Sequence, residues 1–232
     1  METFGHRIRK QWYESFPRQY NEEMKTISLS VESLSKVFNR RVIFENIAFS
    51  LSEKQSLAVT GRNGSGKSTL AKIICGLLSP SGGRIMCTID GEKTDPALIY
   101  QHVGLVSPYV MMYDEFSGME NLVVISRIRG LQTSSQEDIE RLLKTFGIYE
   151  RRNDEVRTYS SGMKQRLKYA AALLHHPEIL VLDEPAANLD EEGIGVVRAT
   201  MRAQCEHGIL VIATNDKDDL EFAQNSVDLN RN

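Results

Sequence analysis

The sequence predicts an α/β fold with a mostly parallel sheet, a β-rich N-terminal part and an inserted helical part. Three observations carry this. The apolar run Leu57-Ala58-Val59 leads straight into a glycine-rich loop and then an amphipathic helix. Two later runs, Ile179–Leu182 and Ile209–Ala213, are unbroken in their apolar character, which suits parallel strands buried on both faces. Between these markers, from about Tyr113 to Leu174, apolar residues recur at helical spacing.

The first stretch, Met1 to Glu23, mixes charges of both signs with Phe4, Trp12, Tyr13, Phe16 and Tyr20, and holds no apolar segment of the kind a secretory signal needs. It reads as a flexible extension, with an aromatic docking arm as the alternative, and Met24 is a candidate start. Thr26 to Leu34 opens the β-rich part, with Ile27, Leu29 and Val31 alternating with polar residues. Val42 to Leu51 continues it. The helix after the glycine-rich loop is expected to carry Leu70, Ile73, Ile74 and Leu77 on one face, with Gly76 near its end and Pro80 beyond. In the helical part, Ile139, Leu142, Leu143 and Phe146 mark one stripe, closed by Gly147. Met163, Leu167, Ala171 and Leu174 mark another. A βαβ arrangement follows, and no internal repeat is visible.

Composition narrows the classes. Of 232 residues, 41 % are hydrophobic and 25 % charged, the balance of a globular chain rather than a disordered one. A net charge of −3 argues against a nucleic-acid binder that relies on a broad basic surface. No apolar run approaches the roughly 20 residues of a membrane helix. The three cysteines, Cys75, Cys87 and Cys205, show no metal-ligand spacing, and a reduced cytosolic setting suits them.

Two strings carry the chemistry. Gly61-Arg62-Asn63-Gly64-Ser65-Gly66-Lys67-Ser68, followed by Thr69, fits G-x-x-x-x-G-K-[ST] between a strand and a helix. Such a loop turns backbone N–H groups toward phosphate oxygens, with the helix N-terminus adding its positive end. Lys67 is expected to reach the β- and γ-phosphates, and Ser68 to offer its hydroxyl to Mg²⁺. Ile179-Leu180-Val181-Leu182-Asp183-Glu184 supplies the acidic strand end. There Asp183 is expected to hold Mg²⁺ through water and Glu184 to take a proton from the attacking water. Together they make a P-loop NTPase core and leave kinase, GTPase and transport ATPase open. Asn215-Asp216-Lys217-Asp218 is only an inexact echo of a guanine-reading string.

A third string, Tyr159-Ser160-Ser161-Gly162-Met163-Lys164-Gln165-Arg166, resembles the signature of ABC transporter ATPases. The motif order from Thr26 to the end is also that of this family. The resemblance implies an ATPase cassette with an antiparallel β subdomain at its N-terminus and a helical subdomain over about 112–174, the single domain running over 24–232. It implies ATP and Mg²⁺ as cofactors. Ser160 and Gly162 would then face ATP held by a second copy, so the active form would be a head-to-tail homodimer. A plain helix cap accounts for Ser160 but not for Gly162. Phe38 matches the aromatic that stacks on adenine, with a core phenylalanine as its alternative, and Asp190 in Asn188-Leu189-Asp190 matches the loop that contacts the partner's phosphate loop. Two positions depart from the family pattern. Pro108, preceded by Ser107, stands where a glutamine is usual, and neither can place an amide oxygen on Mg²⁺. Asn215 stands where a histidine is usual. It can hydrogen-bond a γ-phosphate but cannot carry a proton.

The Ser-Ser-Gly-Met form of the signature looks like export-type members, similar to ABC-2 exporters and haem-exporter (cytochrome c maturation) ATPases. The resemblance also implies a separate integral-membrane permease, no nucleic-acid partner, and a place on the cytoplasmic face of the membrane. Pro108 to Phe116, rich in Met and aromatics, is either the permease docking surface or subdomain core. The alternatives are a soluble ABC ATPase for assembly, as in iron–sulfur cluster biogenesis, and an ATP-gated dimerisation module with weak hydrolysis.

Overall fold

The structure, a computed structural model, describes residues 26–131 and 136–230. The expectations for Met1 to Glu23 lie outside the described residues. Nine strands are described, in chain order β1 (Ile27–Phe38), β2 (Arg41–Ser52), β3 (Ser56–Thr60), β4 (Gly82–Ile89), β5 (Glu92–Lys93), β6 (Val103–Val106), β7 (Ile179–Asp183), β8 (Ile209–Ala213) and β9 (Asn225–Asp228). The helices are α1 (Lys67–Ile74), α2 (Gly118–Ile128), α3 (Gln136–Thr145), α4 (Ser161–Leu173), α5 (Glu191–His207) and α6 (Lys217–Leu220). The described residues divide into two compact units. A β-rich unit holds 26–107, 178–185 and 204–230, and a helical unit holds 108–131, 136–177 and 186–203.

The β-rich unit carries two sheets. One is antiparallel, in the order β2-β1-β4-β5. The other is parallel throughout, in the order β6-β7-β8-β3-β9. The alternation of Ile27, Leu29 and Val31 puts these side chains on one face of β1, all buried. They join Phe44, Leu51, Leu57, Val59, Leu70, Ile74, Val181, Val211 and Leu229 in a single hydrophobic core. Each large apolar side chain buried in this way contributes roughly 1.5–3 kcal/mol. Every residue of β7 and β8 is buried, as their unbroken apolar runs predict.

One sequence expectation is corrected here. Leu77 does not lie on the helix stripe of Leu70, Ile73 and Ile74. The helix ends at Ile74, and Leu77 is 63 % exposed. The cause is a Schellman closure. The Gly76 amide donates to Ile73 O (3.0 Å) and the Leu77 amide to Lys72 O (2.9 Å), with Gly76 at φ 72.

In the helical unit, Leu122, Ile139, Leu143, Phe146, Leu167 and Tyr169 are buried, and the Phe146 and Tyr169 rings stack with centroids 5.7 Å apart. Among the described residues, no helix is long and apolar enough to cross a membrane.

Candidate functional site: the carboxyl edge of the parallel sheet

Parallel strands bring their carboxyl ends to one edge, where α/β proteins bind ligands. Here β3 runs into the Gly61–Ser68 loop, β7 ends in Asp183-Glu184, β8 runs into Thr214-Asn215, and β6 runs into Ser107. The register aligns these ends, with Asp183 opposite Ala213, Val59 opposite Ala213, and Val106 opposite Leu182.

The loop is closed by its own residues. Gly66 caps α1 at φ 105, and a Cβ there would lie 2.6 Å from Ile43 Cγ2, so both conformation and space require glycine. The first intrahelical bond runs from the Leu70 amide to Gly66 O (2.9 Å). The amides of Lys67, Ser68 and Thr69 therefore form the open end of the helix, where an anion is favoured. Lys67 is buried, and its Nζ donates to Gly61 O at 2.7 Å, tying the two ends of the loop together. The Arg62 amide donates to Asn230 Oδ1 (3.0 Å), and Asn63 Oδ1 accepts from Asn215 Nδ2 (3.1 Å). Ser65 Oγ is buried with no hydrogen-bond partner among the described residues. Gly64 completes the turn.

Asp183 is 1 % exposed. Its Oδ2 accepts from Ser107 Oγ at 3.1 Å, while its Oδ1 is buried with no partner among the described residues. A buried carboxylate oxygen in that condition is costly unless a water or a cation completes it. Glu184 follows at φ 54, a left-handed conformation held by its amide donating to Ala213 O (2.9 Å). Burial pushes the Glu184 carboxyl above the usual carboxylate range. Lys67 opposes that shift, and the charges of Asp183, Asp219 and Asp216 add to it. Beyond β8, Thr214 Oγ1 donates to Asp219 Oδ2 (2.9 Å) and accepts from the Asp216 amide (3.0 Å), fixing the backbone on both sides of Asn215.

Phe38 stands apart from this cluster, at the β1–β2 turn. It is 42 % exposed, which removes the core alternative, and the Lys36 ammonium lies 4.6 Å from its ring centroid.

The helical unit holds the remaining sequence candidates. Ser160 Oγ caps α4 by accepting from the Met163 amide (3.1 Å). Gly162 lies so close to the chain that a Cβ there would sit 3.0 Å from Asn188 O. Asp190 Oδ1 accepts from the Gly193 amide (2.9 Å) and from Arg166 Nη2 (2.5 Å). These bonds, the backbone one first, hold its carboxyl below the usual range.

The model of the ABC transporter family matches residues 44–187, spanning both acidic and glycine-rich strings and the Tyr159–Arg166 string. The chain belongs to the ABC transporter family. It is 35 % identical over 205 residues to the uncharacterized ABC transporter ATP-binding protein YxlF of Bacillus subtilis (strain 168), covering 88 % of this chain and 68 % of that one. It is 32 % identical over 198 residues to the linearmycin resistance ATP-binding protein LnrL of the same organism, covering 84 % and 63 %. The chain thus spans about two thirds of the length of these curated relatives. The fold also matches the dimeric post-hydrolysis structure of the ATP-binding cassette MJ0796 bound to ADP and Pi. That match has a TM-score of 0.75 at 22 % identity, over 86 % of this chain and 93 % of that one. The protein is an ATP-binding ABC cassette and an ATPase of that family.

The structure brings together Gly61, Lys67, Asp183, Glu184, Asn63 and Asn215 at one sheet edge. Ser107 enters the same cluster by a route the sequence hides. Pattern reading takes it only as a residue unable to offer an amide oxygen, whereas its hydroxyl touches Asp183. Arg166 stands inside the Tyr159–Arg166 string, but its tie to Asp190 is set by the fold. The Pro108–Phe116 stretch leaves Tyr109 (64 %), Met111 (76 %), Tyr113 and Phe116 exposed, so the core alternative fails for these four.

Proposed function

We propose that this cassette is the ATP-hydrolysing subunit of an exporter and that it drives a separate integral-membrane permease from the cytoplasmic face. The observation that carries the catalytic part is the juxtaposition at the sheet edge. A glycine-rich loop at a helix N-terminus meets a buried carboxylate with an open oxygen and a second carboxyl whose proton affinity is raised.

In this reading residues 24–232 act as one cassette. The amides of Gly64, Ser65, Gly66, Ser68 and Thr69, together with Lys67, hold the phosphates, with Arg62 and Asn63 shaping the loop. Phe38 offers its ring to the adenine. Ser68 and Asp183 are the residues that would hold Mg²⁺, and the open Asp183 Oδ1 fits a metal-bound water. Mg²⁺, when bound, would neutralise charge developing on the β- and γ-phosphates. Glu184 accepts the proton of the attacking water, and its raised pKa strengthens it as a base near neutral pH. Asn215 hydrogen-bonds the γ-phosphate but moves no proton. Ser160, Gly162 and Asp190 serve the nucleotide of a second copy in a head-to-tail dimer, a reading supported by the dimeric state of MJ0796. Export is supported by the resistance function named for LnrL, and the permease by the exposed aromatic and Met surface of 108–116.

Phosphate release by the protein co-expressed with its membrane subunit tests the reading. ATP-dependent release that Glu184→Gln abolishes supports it. Release that is equal in both proteins overturns it, and favours an ATP-gated dimerisation module.

A further inference from the structure

We propose that Ser107 is the positioning residue for the Mg²⁺ end of this site. The inference rests on the reading of Asp183 as the Mg²⁺-facing carboxylate, and it assigns the group that sets how that carboxylate is presented.

The argument starts from register. Val106 pairs with Leu182 across the parallel β6–β7 ladder, so the residue after Val106 falls beside Asp183. Position 107 thus flanks Asp183 on the β6 side, while the registered partner of Asp183 on the β8 side, Ala213, has no polar side chain to offer. Serine there is 2 % exposed, and Asp183 is 1 % exposed. The Ser107 hydroxyl donates to Asp183 Oδ2 at 3.1 Å.

A carboxylate has two oxygens and a soft terminal torsion, so an isolated one presents either oxygen over a broad range of angles. Ser107 removes that freedom. It occupies Oδ2 and leaves Oδ1, buried and with no partner among the described residues, as the oxygen still available to a ligand. Pro108 follows immediately and has no N–H, so its own backbone cannot donate to the carboxylate in place of the serine.

Side chains that orient a metal-facing group from behind typically change metal affinity by about 10–100-fold when removed. Ser107 is therefore expected to act on the Mg²⁺-dependent part of nucleotide binding and not on the metal-free part. The probe is a fluorescent ATP analogue titrated onto the full chain, once with Mg²⁺ varied and once in chelator, with Mn²⁺ binding to the ATP-loaded protein followed by electron paramagnetic resonance. Ser107→Ala and Ser107→Cys should each raise the Mg²⁺ concentration for half-maximal binding by about tenfold. Both should weaken the Mn²⁺ signal in parallel and leave affinity in chelator unchanged. Ser107→Thr, which keeps the hydroxyl, should restore the wild-type requirement. If the alanine variant does not fold, the cysteine variant, close to serine in volume, decides the question.

An unchanged Mg²⁺ requirement in the variants overturns the inference. So does an equal loss of binding with and without metal, the mark of a merely structural role. If the wild type itself binds nucleotide equally well in Mg²⁺ and in chelator, the assignment of Asp183 fails, and Ser107 with it.

Discussion

The sheet edge of the β-rich unit and the 108–116 segment of the helical unit are built on opposite principles. At the sheet edge, polar groups are buried where burial is costly: Lys67, Asp183, Ser107 and Ser65 lie inside, and two buried oxygens have no partner among the described residues. In 108–116, apolar groups are exposed where exposure is costly: Tyr109, Met111, Tyr113 and Phe116 face solvent. Each region departs from the ordinary partition of polar and apolar surface in its own direction. A buried polar group without a partner points to a ligand or an ion. An exposed apolar strip points to another macromolecule. In the proposed reading, the contrast separates a region for chemistry from a region for a partner.

The largest effect is expected at the sheet edge. Glu184→Gln should lower ATP turnover by on the order of 100- to 10,000-fold, the range for loss of a general base. Nucleotide affinity, read by the fluorescent analogue, should survive. The same substitution should not destabilise the fold at neutral pH. Burial raises the folded-state pKa of Glu184 above its unfolded value, so its favourable contribution is complete below the unfolded pKa and is lost as pH rises through the folded one. Gln removes that loss. The variant should therefore melt at or above the wild type at pH 7 to 8, with the advantage fading toward acid. Turnover should follow the same group, its acid limb lying above the ordinary carboxylate range. A limb inside the ordinary range would assign the limiting proton transfer elsewhere.

Much of this contrast is legible in the sequence, and the parts that are not share one cause. The glycine-rich string, the Asp183-Glu184 strand end and the Tyr159–Arg166 string are local patterns, and each keeps its order in the fold. Pairings between distant segments are invisible to pattern. Ser107 meets Asp183 only because β6 lies beside β7 in one register. Arg166 meets Asp190 only because the residues between them return the chain to α4. Strand β9, Asn-Ser-Val-Asp, carries no alternation to announce it and is defined by pairing with β3. Leu77 follows the helical spacing faithfully, yet the chain leaves the helix before it, because spacing does not record that Gly76 has already turned.

A mid-sized effect tests whether the exposed strip is held in shape. Asn121 is fully buried. Its Oδ1 accepts from the Tyr113 amide (2.8 Å), and its Nδ2 donates to Tyr113 O (3.0 Å) and Ser117 O (2.9 Å). It ties the segment to α2, whose N-terminus is also closed by a Ser117–Glu120 capping box. Asn121→Ala should cost about 2 kcal/mol in denaturant unfolding, since it strands backbone groups that one side chain now satisfies. It should also raise protease sensitivity near Tyr113. A neutral result would mean that the strip is loose and its exposure incidental.

The smallest effect on the fold should come from the most exposed member of the strip. Met111 is 76 % exposed, so a charged replacement buries nothing and strands nothing. Met111→Asp is expected to shift stability by no more than about 0.5 kcal/mol, the range for surface substitutions. Its effect should appear only where a partner is present. With the membrane subunit co-expressed, the variant should leave the membrane fraction while its nucleotide affinity stays that of the wild type. The charge would have to be desolvated in any apolar contact, and the flexible methionine it replaces is suited to packing against an irregular partner. If Met111→Asp remains with the membranes, the exposed strip is not the docking surface. If it loses nucleotide affinity instead, the strip belongs to the chemistry and the separation of the two regions fails.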